Sequence, residues 1–236
     1  AIALPYLRER ALAERTSTWI FAYIDAAAKT GNLAEVADLL DKNYDSLALT
    51  EEEKTNFAFY FLENGQEAKA RSLFKKVIAE YGPQSTAAEN LVYLWTVNPQ
   101  LADNDWLYKQ ATASNNKQFA GWLGLLQTTK GYTQIDKAIA KRYGTRIPDN
   151  ILPYYFTSQA WQNANSPELK AEIKAYVNRQ SDTETLNAFG ISLVEANRID
   201  LALIVFERML EIDPDNLELR VTAAQAMINQ AKYSGA

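Results

Sequence analysis

A step of 34 residues recurs along this chain and is clearest from Thr183 to Asn216, TETLNAFGISLVEANRIDLALIVFERMLEIDPDN. A fixed period of this length constrains the fold strongly, because each unit leaves an apolar face that only the next unit can cover. Followed outward, the step opens units near Ser17, Glu51, Ser85, Lys117, Ile151, Thr183 and Leu217, at spacings of 34, 34, 32, 34, 32 and 34 residues. The expected units are therefore 17–50, 51–84, 85–116, 117–150, 151–182 and 183–216, flanked by partial helices over 1–16 and 217–236. One array, rather than separate domains, is the expected organisation.

Each unit reads as a helical hairpin. Leu186, Phe189, Gly190, Leu193 and Val194 recur at three- and four-residue spacing, as one helix face requires, and Ala202, Leu203, Phe206, Met209 and Leu210 do so on a second helix. Asn197 falls in the turn between them. Pro214 follows the second helix, where proline stops a helix without interrupting it. The unit from Glu51 repeats the plan, with Phe57, Ala58 and Phe61, a turn at Asn64-Gly65, then Ala70, Phe74, Val77 and Ile78, and a stop at Gly82-Pro83. Small residues such as Ala58, Ala70, Gly190 and Ala202 mark the close helix crossings.

Thr183 to Asn216 resembles a tetratricopeptide repeat, and Glu51 to Gln84 resembles a weaker one. Phe189-Gly190, Leu193, Ala202, Phe206 and Pro214 match that family in type, whereas Leu186 and Met209 are substitutions. Two units depart further. Val36 replaces the small residue that opens the second helix after the Gly31-Asn32 turn, and Asp136 does so after the expected Gly131 turn. The resemblance implies an all-α, right-handed α-superhelix, a solenoid of stacked antiparallel helix pairs. Pro153 belongs in the first turn of a helix starting near Asp149 to Leu152, with Asp149 or Asn150 as its cap.

In the family, first helices line a concave groove that receives a peptide or a helix. Carried onto this sequence, that face comprises Phe21, Asp25, Thr55, Phe59, Leu62, Glu63, Tyr93, Leu125, Tyr155, Gln159, Asn187, Ile191 and Glu195. Its aromatics would supply anchoring contacts, and Asp25, Glu63 and Glu195 would bias it toward basic or polar partners. The implied function is a non-enzymatic scaffold that holds a segment of another protein.

Composition narrows the chemistry. With no cysteine and no histidine, disulfides, thiolate nucleophiles, histidine-based triads and the commonest zinc ligands are excluded. No cofactor and no metal are expected. A net charge of −5, with basic residues only in doublets such as Lys75-Lys76 and Lys141-Arg142, argues against a nucleic-acid partner. No apolar run approaches the roughly 20 residues of a membrane span. Nothing singles out a glycosidase-like carboxylate pair among 29 acidic residues, and Glu51-Glu52-Glu53 after Thr50 reads as a helix start.

Absence of cysteine and divergent, aromatic-rich units resemble the periplasmic repeat regions of bacterial envelope machines, notably exopolysaccharide synthesis and export systems, with a cytoplasmic location as the alternative. The start of the chain already reads as an amphipathic helix, so a longer parent protein is expected. Trp19, Trp95, Trp122 and Trp161 fall at core spacings, leaving Trp106 as the tryptophan to check for contact with polysaccharide. The competing class is a helical arm or α/α toroid of an enzyme acting on polysaccharide or peptidoglycan. A toroid would give a compact radius of gyration of about 17–18 Å by globular scaling.

Overall fold

A computed structural model describes residues 3–162 and 166–234. Among the described residues there are fourteen α-helices, two short 3-10 turns and no strand. The chain divides into two compact units, residues 1–102 and 103–236. The fold is all-α, built of antiparallel helix pairs stacked within each unit.

The first unit holds α1 (Ala3–Glu14), α2 (Ser17–Thr30), α3 (Leu33–Asn43), α4 (Glu51–Glu63), α5 (Glu67–Tyr81) and α6 (Thr86–Val97). Helix α1 packs on α2, α2 on α3, α4 on α5, and α6 on α5 and α4. Successive second helices are tied by ion pairs about one step apart, Lys76 to Asp41 at 2.8 Å and Lys69 to Asp38. The start of α4 is a capping box: the Glu53 amide donates to Thr50 Oγ1 at 3.2 Å, and the Thr50 amide donates to Glu53 Oε2 at 2.9 Å. Glu51, at the same start, accepts from the Thr86 amide at 3.2 Å and so also caps α6.

The second unit holds α7 (Asn104–Ala113), α8 (Asn116–Thr128), α9 (Tyr132–Tyr143), α10 (Leu152–Gln162), α11 (Pro167–Asn178), α12 (Thr183–Glu195), α13 (Ile199–Ile212) and α14 (Leu217–Ser234). Its tightest pairs are α12 with α13, α13 with α14 and α10 with α9, while α10 also lies against α12 and α8. Phe156, Tyr176 and Phe189 centre its core, with ring centroids 5.7, 6.2 and 5.8 Å apart pairwise. Pro153 sits in the first turn of α10, as the sequence requires. The expected cap does not form, because Asp149 is drawn to Arg179 at 3.0 Å and the Ile151 and Leu152 amides donate to the Pro148 carbonyl instead.

Four of the hairpin turns share one backbone form. At Gly31, Gly65, Lys130 and Asn197 φ is positive, at 74, 76, 56 and 58°. The amide of the following residue closes onto a carbonyl five residues back, Asn32 to Ala27, Gln66 to Phe61, Gly131 to Leu126 and Arg198 to Leu193, at 2.7–2.9 Å. The left-handed residue of the third turn is thus Lys130 and not Gly131. Gly131 is required for another reason: a Cβ there would lie 2.9 Å from Leu126 Cδ2 and 3.0 Å from Asn104 Cγ. Lysine bears a steric cost in this region that glycine does not. Lys130→Gly should raise stability by about 0.5–1 kcal/mol, and an unchanged denaturation midpoint would contradict the turn geometry.

The two atypical second helices keep their form. Val36 is buried in α3, so the larger side chain is taken into the core. Asp136 of α9 accepts hydrogen bonds from Ser158, Gln159 (2.9 Å) and Gln162 of α10, which turns the missing small residue into a polar cross-link. On α14, Leu219 and Ala223 are buried, whereas Leu217, Val221 and Ile228 are exposed and the Met227 side chain lies outside the described residues.

Candidate functional site

The residues of the expected groove fall in both units. In the first, Phe21 and Phe59 are half-buried against rings of the same unit: Phe21 stacks on Phe57 at 4.6 Å, and Phe59 meets Phe74 edge-on at 5.4 Å. Thr55 is buried and Leu62 half-buried, while Asp25 and Glu63 are exposed, Asp25 holding Lys29 at 2.6 Å. Tyr93 is bare, at 67% exposure.

In the second unit, Leu125, Tyr155 and Gln159 are half-buried, and Asn187, Ile191 and Glu195 are exposed. Asn187 lines a shallow recess with Thr183, Asn216 and Thr222.

The first unit's most buried charge lies elsewhere. Lys54, only 7% exposed, places Nζ 2.7 Å from both oxygens of Glu80, which also accepts from the Tyr44 hydroxyl at 3.0 Å. The ammonium lies 4.8 Å from the Tyr44 ring centroid and 5.3 Å from that of Tyr81. Burial opposes ionisation of Glu80, yet hydrogen bonds from Lys54 and Tyr44 outweigh it and hold the carboxyl below its ordinary value. Burial, then the Glu80 charge, pushes the Tyr44 phenol up.

A depressed carboxylate stabilises the fold above its ordinary range and loses that contribution as pH falls through the folded value. Glu80→Gln should therefore cost about 1–2 kcal/mol at neutral pH, held down by the solvent-facing side of Glu80. It should also flatten the decline in melting temperature between about pH 5 and pH 3, measurable by calorimetry.

A cleft of about 450 Å³ opens in the second unit. Helix α8 contributes Gln127, the loop before α10 contributes Asp149 and Asn150, α10 contributes Pro153 and Tyr154, α11 contributes Tyr176 and Gln180 follows it, while Thr185, Ala188, Phe189 and Ser192 come from α12. None of the expected groove residues lines it. Several sit one position away, Tyr155 beside Tyr154, Asn187 beside Ala188 and Ile191 beside Ser192, and one residue turns a helix face by about 100°.

The cleft is more apolar than polar at its surface and nearly neutral. Its Asp149 carboxylate is held below the ordinary value by the hydrogen bond from Arg179, and burial pushes the Tyr154 and Tyr176 phenols up. Ser192 Oγ shares a hydrogen bond with buried Thr157 Oγ1 at 2.8 Å and lies 2.8 Å from the Phe189 carbonyl it donates to. The side-chain amides of Gln127, Asn150 and Gln180 and the hydroxyls of Tyr154 and Thr185 belong to its less buried lining, while Tyr176, Phe189 and Ser192 are buried beneath, a set suited to an uncharged chain with both polar and apolar groups.

Exposure of the tryptophans differs from the pattern expected. Trp95 and Trp122 are buried, while Trp19 is half-buried against Tyr6 and Arg10. Trp106 is half-buried, edge-on to Trp122 at 5.9 Å. Trp161, expected in the core, is 51% exposed in the last turn of α10, where its ring rests on Tyr132.

Among the described residues no three or more acidic side chains gather as a metal site, and no helix is long and apolar enough to cross a membrane. No family model matches the sequence, and no curated protein matches it. Among solved structures the chain is similar to a thermophilic TPR protein of Thermus thermophilus, at 16% identity over 76% of this chain and 100% of that one, with a TM-score of 0.38.

Proposed function

We propose that the chain is a non-enzymatic protein-interaction scaffold whose second unit holds an uncharged, extended peptide segment in the cleft between α8, α10, α11 and α12. The observation that carries this reading is the lining itself. Gln127, Asn150 and Gln180 offer paired amide donors and acceptors that match a peptide backbone, and Pro153 and Tyr154 offer apolar surface beside them, over a floor of buried Tyr176 and Phe189. The Ser192 hydroxyl is not set up to attack: it and buried Thr157 bond each other and main-chain carbonyls, whereas a nucleophile needs a base to take its proton.

Selection of linear peptides from a displayed random library against the whole chain tests it. Enriched sequences should be poor in charge and should lose at least about tenfold in affinity on Thr185→Arg, which fills the mouth without disturbing the core. Enriched peptides that bind parent and Thr185→Arg equally would move binding off the cleft.

The proposal extends to a periplasmic setting, in an envelope assembly for polysaccharide synthesis or export. Support comes from the cysteine-free, aromatic-rich sequence. Release of the tagged parent protein by osmotic shock is the expected result; recovery with the cytosol would place the scaffold there instead.

A further inference from the structure

A groove of about 490 Å³ lies in the first unit, walled by α1 on one side and by the start of α3 on the other, with Tyr23 of α2 in its lining. Tyr23 is 2% exposed, and among the described residues its hydroxyl makes no hydrogen bond. A buried hydroxyl left without a partner costs free energy until something enters to bond it. Burial also pushes this phenol up, so it stays protonated and can donate.

Charges of both signs share the groove. Arg8 and Glu9 are neighbours on α1, and Glu35 faces them from α3. Arg8 Nη1 stands 3.7 Å from Glu35 Oε1, too far for a hydrogen bond, and among the described residues none of the three makes one elsewhere. Asn32, in the turn before α3, commits its amide nitrogen to Thr30, which leaves its side-chain oxygen as an acceptor. Leu4, Pro5 and Leu12 add apolar surface along α1. Two donors, three acceptors and an apolar wall are thus grouped with their hydrogen bonds unmade.

We propose that this groove binds a short free peptide as a zwitterion, its carboxylate accepting from Arg8 and the Tyr23 hydroxyl and its ammonium donating to Glu9, Glu35 and Asn32. A lone amine would meet the opposing charge of Arg8, and a lone carboxylate would meet those of Glu9 and Glu35. Only a ligand with both ends charged satisfies the whole set. The arginine fork matches a carboxylate, and apolar side chains of the peptide would cover Leu4, Pro5 and Leu12. The volume falls within the range of small-molecule sites, roughly 300–1,000 Å³. No residue of this groove belongs to the cleft of the second unit, so either site can fail alone.

The test uses the whole chain with leucyl-leucine, N-acetyl-leucyl-leucine and leucyl-leucinamide, affinities being read from proton–nitrogen spectra recorded at rising dipeptide concentration. Leucyl-leucine should bind, and each blocked form should bind at least about tenfold more weakly. Glu35→Gln and Tyr23→Phe should each weaken leucyl-leucine about two- to tenfold at an unchanged melting temperature, because neither side chain makes a hydrogen bond in the free protein. Blocked dipeptides that bind as tightly as leucyl-leucine overturn the proposal, and so does parent-like affinity in Tyr23→Phe. Spectra unmoved by all three dipeptides overturn it as well and leave an empty surface groove.

Discussion

Phe189→Ala is expected to destabilise the second unit by about 3–5 kcal/mol, the range for emptying a buried aromatic position. Phe189 is 1% exposed and touches the rings of both Phe156 and Tyr176, so its removal deletes two of the three contacts of that cluster at once. The cavity would open toward the cleft that Phe189 lines, and that connection would admit water and soften the loss toward the lower figure. Chemical denaturation followed by the near-ultraviolet signal of the second unit's aromatics measures it. A cost under about 1 kcal/mol would mean that the ring is not packed as described.

Gly190→Ala is the second large effect, and its sign runs against helix propensity. Alanine in a helix interior is favoured over glycine by about 1 kcal/mol. A Cβ at this position would nevertheless lie 2.5 Å from Phe206 Cε1 and 3.1 Å from two other ring carbons, and Phe206 is fully enclosed. Overfilling should win, for a net loss of about 1–3 kcal/mol. Phe206→Leu in the same chain should recover part of that loss, giving a coupling of at least about 0.5 kcal/mol between the two sites. Additive losses would show that the α12–α13 crossing is looser than these distances require. At Gly31 and Gly65, by contrast, a Cβ meets no atom within 4 Å, and any cost of alanine there comes from positive φ alone.

The sequence was informative wherever local chemistry and the apolar step agreed. Gly31, Gly65 and Asn197 are residue types that accept a left-handed turn, and each lies between two helices whose apolar faces recur at the right spacing. At Gly131 the same reasoning chose the wrong neighbour. A glycine beside a lysine reads as the turn residue, but close packing by Leu126 and Asn104 claims the glycine and leaves Lys130 the strained position. The role of Asp136 was also hidden, since its partners Ser158, Gln159 and Gln162 lie more than twenty residues away on another helix.

The cleft was less legible for the same physical reason. Its lining comes from four helices and the segments flanking α10 and α11, and which residues face it depends on helix rotation, to which a periodic pattern is blind within a residue. Trp161 shows the limit from the other side. Its spacing along α10 is that of a core residue, yet it is half uncovered, which depends on what packs against that face and not on spacing.

The four left-handed turns bear on how the chain comes to fold. Each is closed by main-chain hydrogen bonds between groups at most five residues apart, and needs nothing from distant sequence. A hairpin can therefore zip outward from its own bend before neighbouring hairpins have formed, the kind of short-range search that makes helical arrays fast folders. It also explains how glycine, glycine, lysine and asparagine can occupy equivalent bends: the main chain carries the instruction, and a residue other than glycine there bears only the steric cost of positive φ.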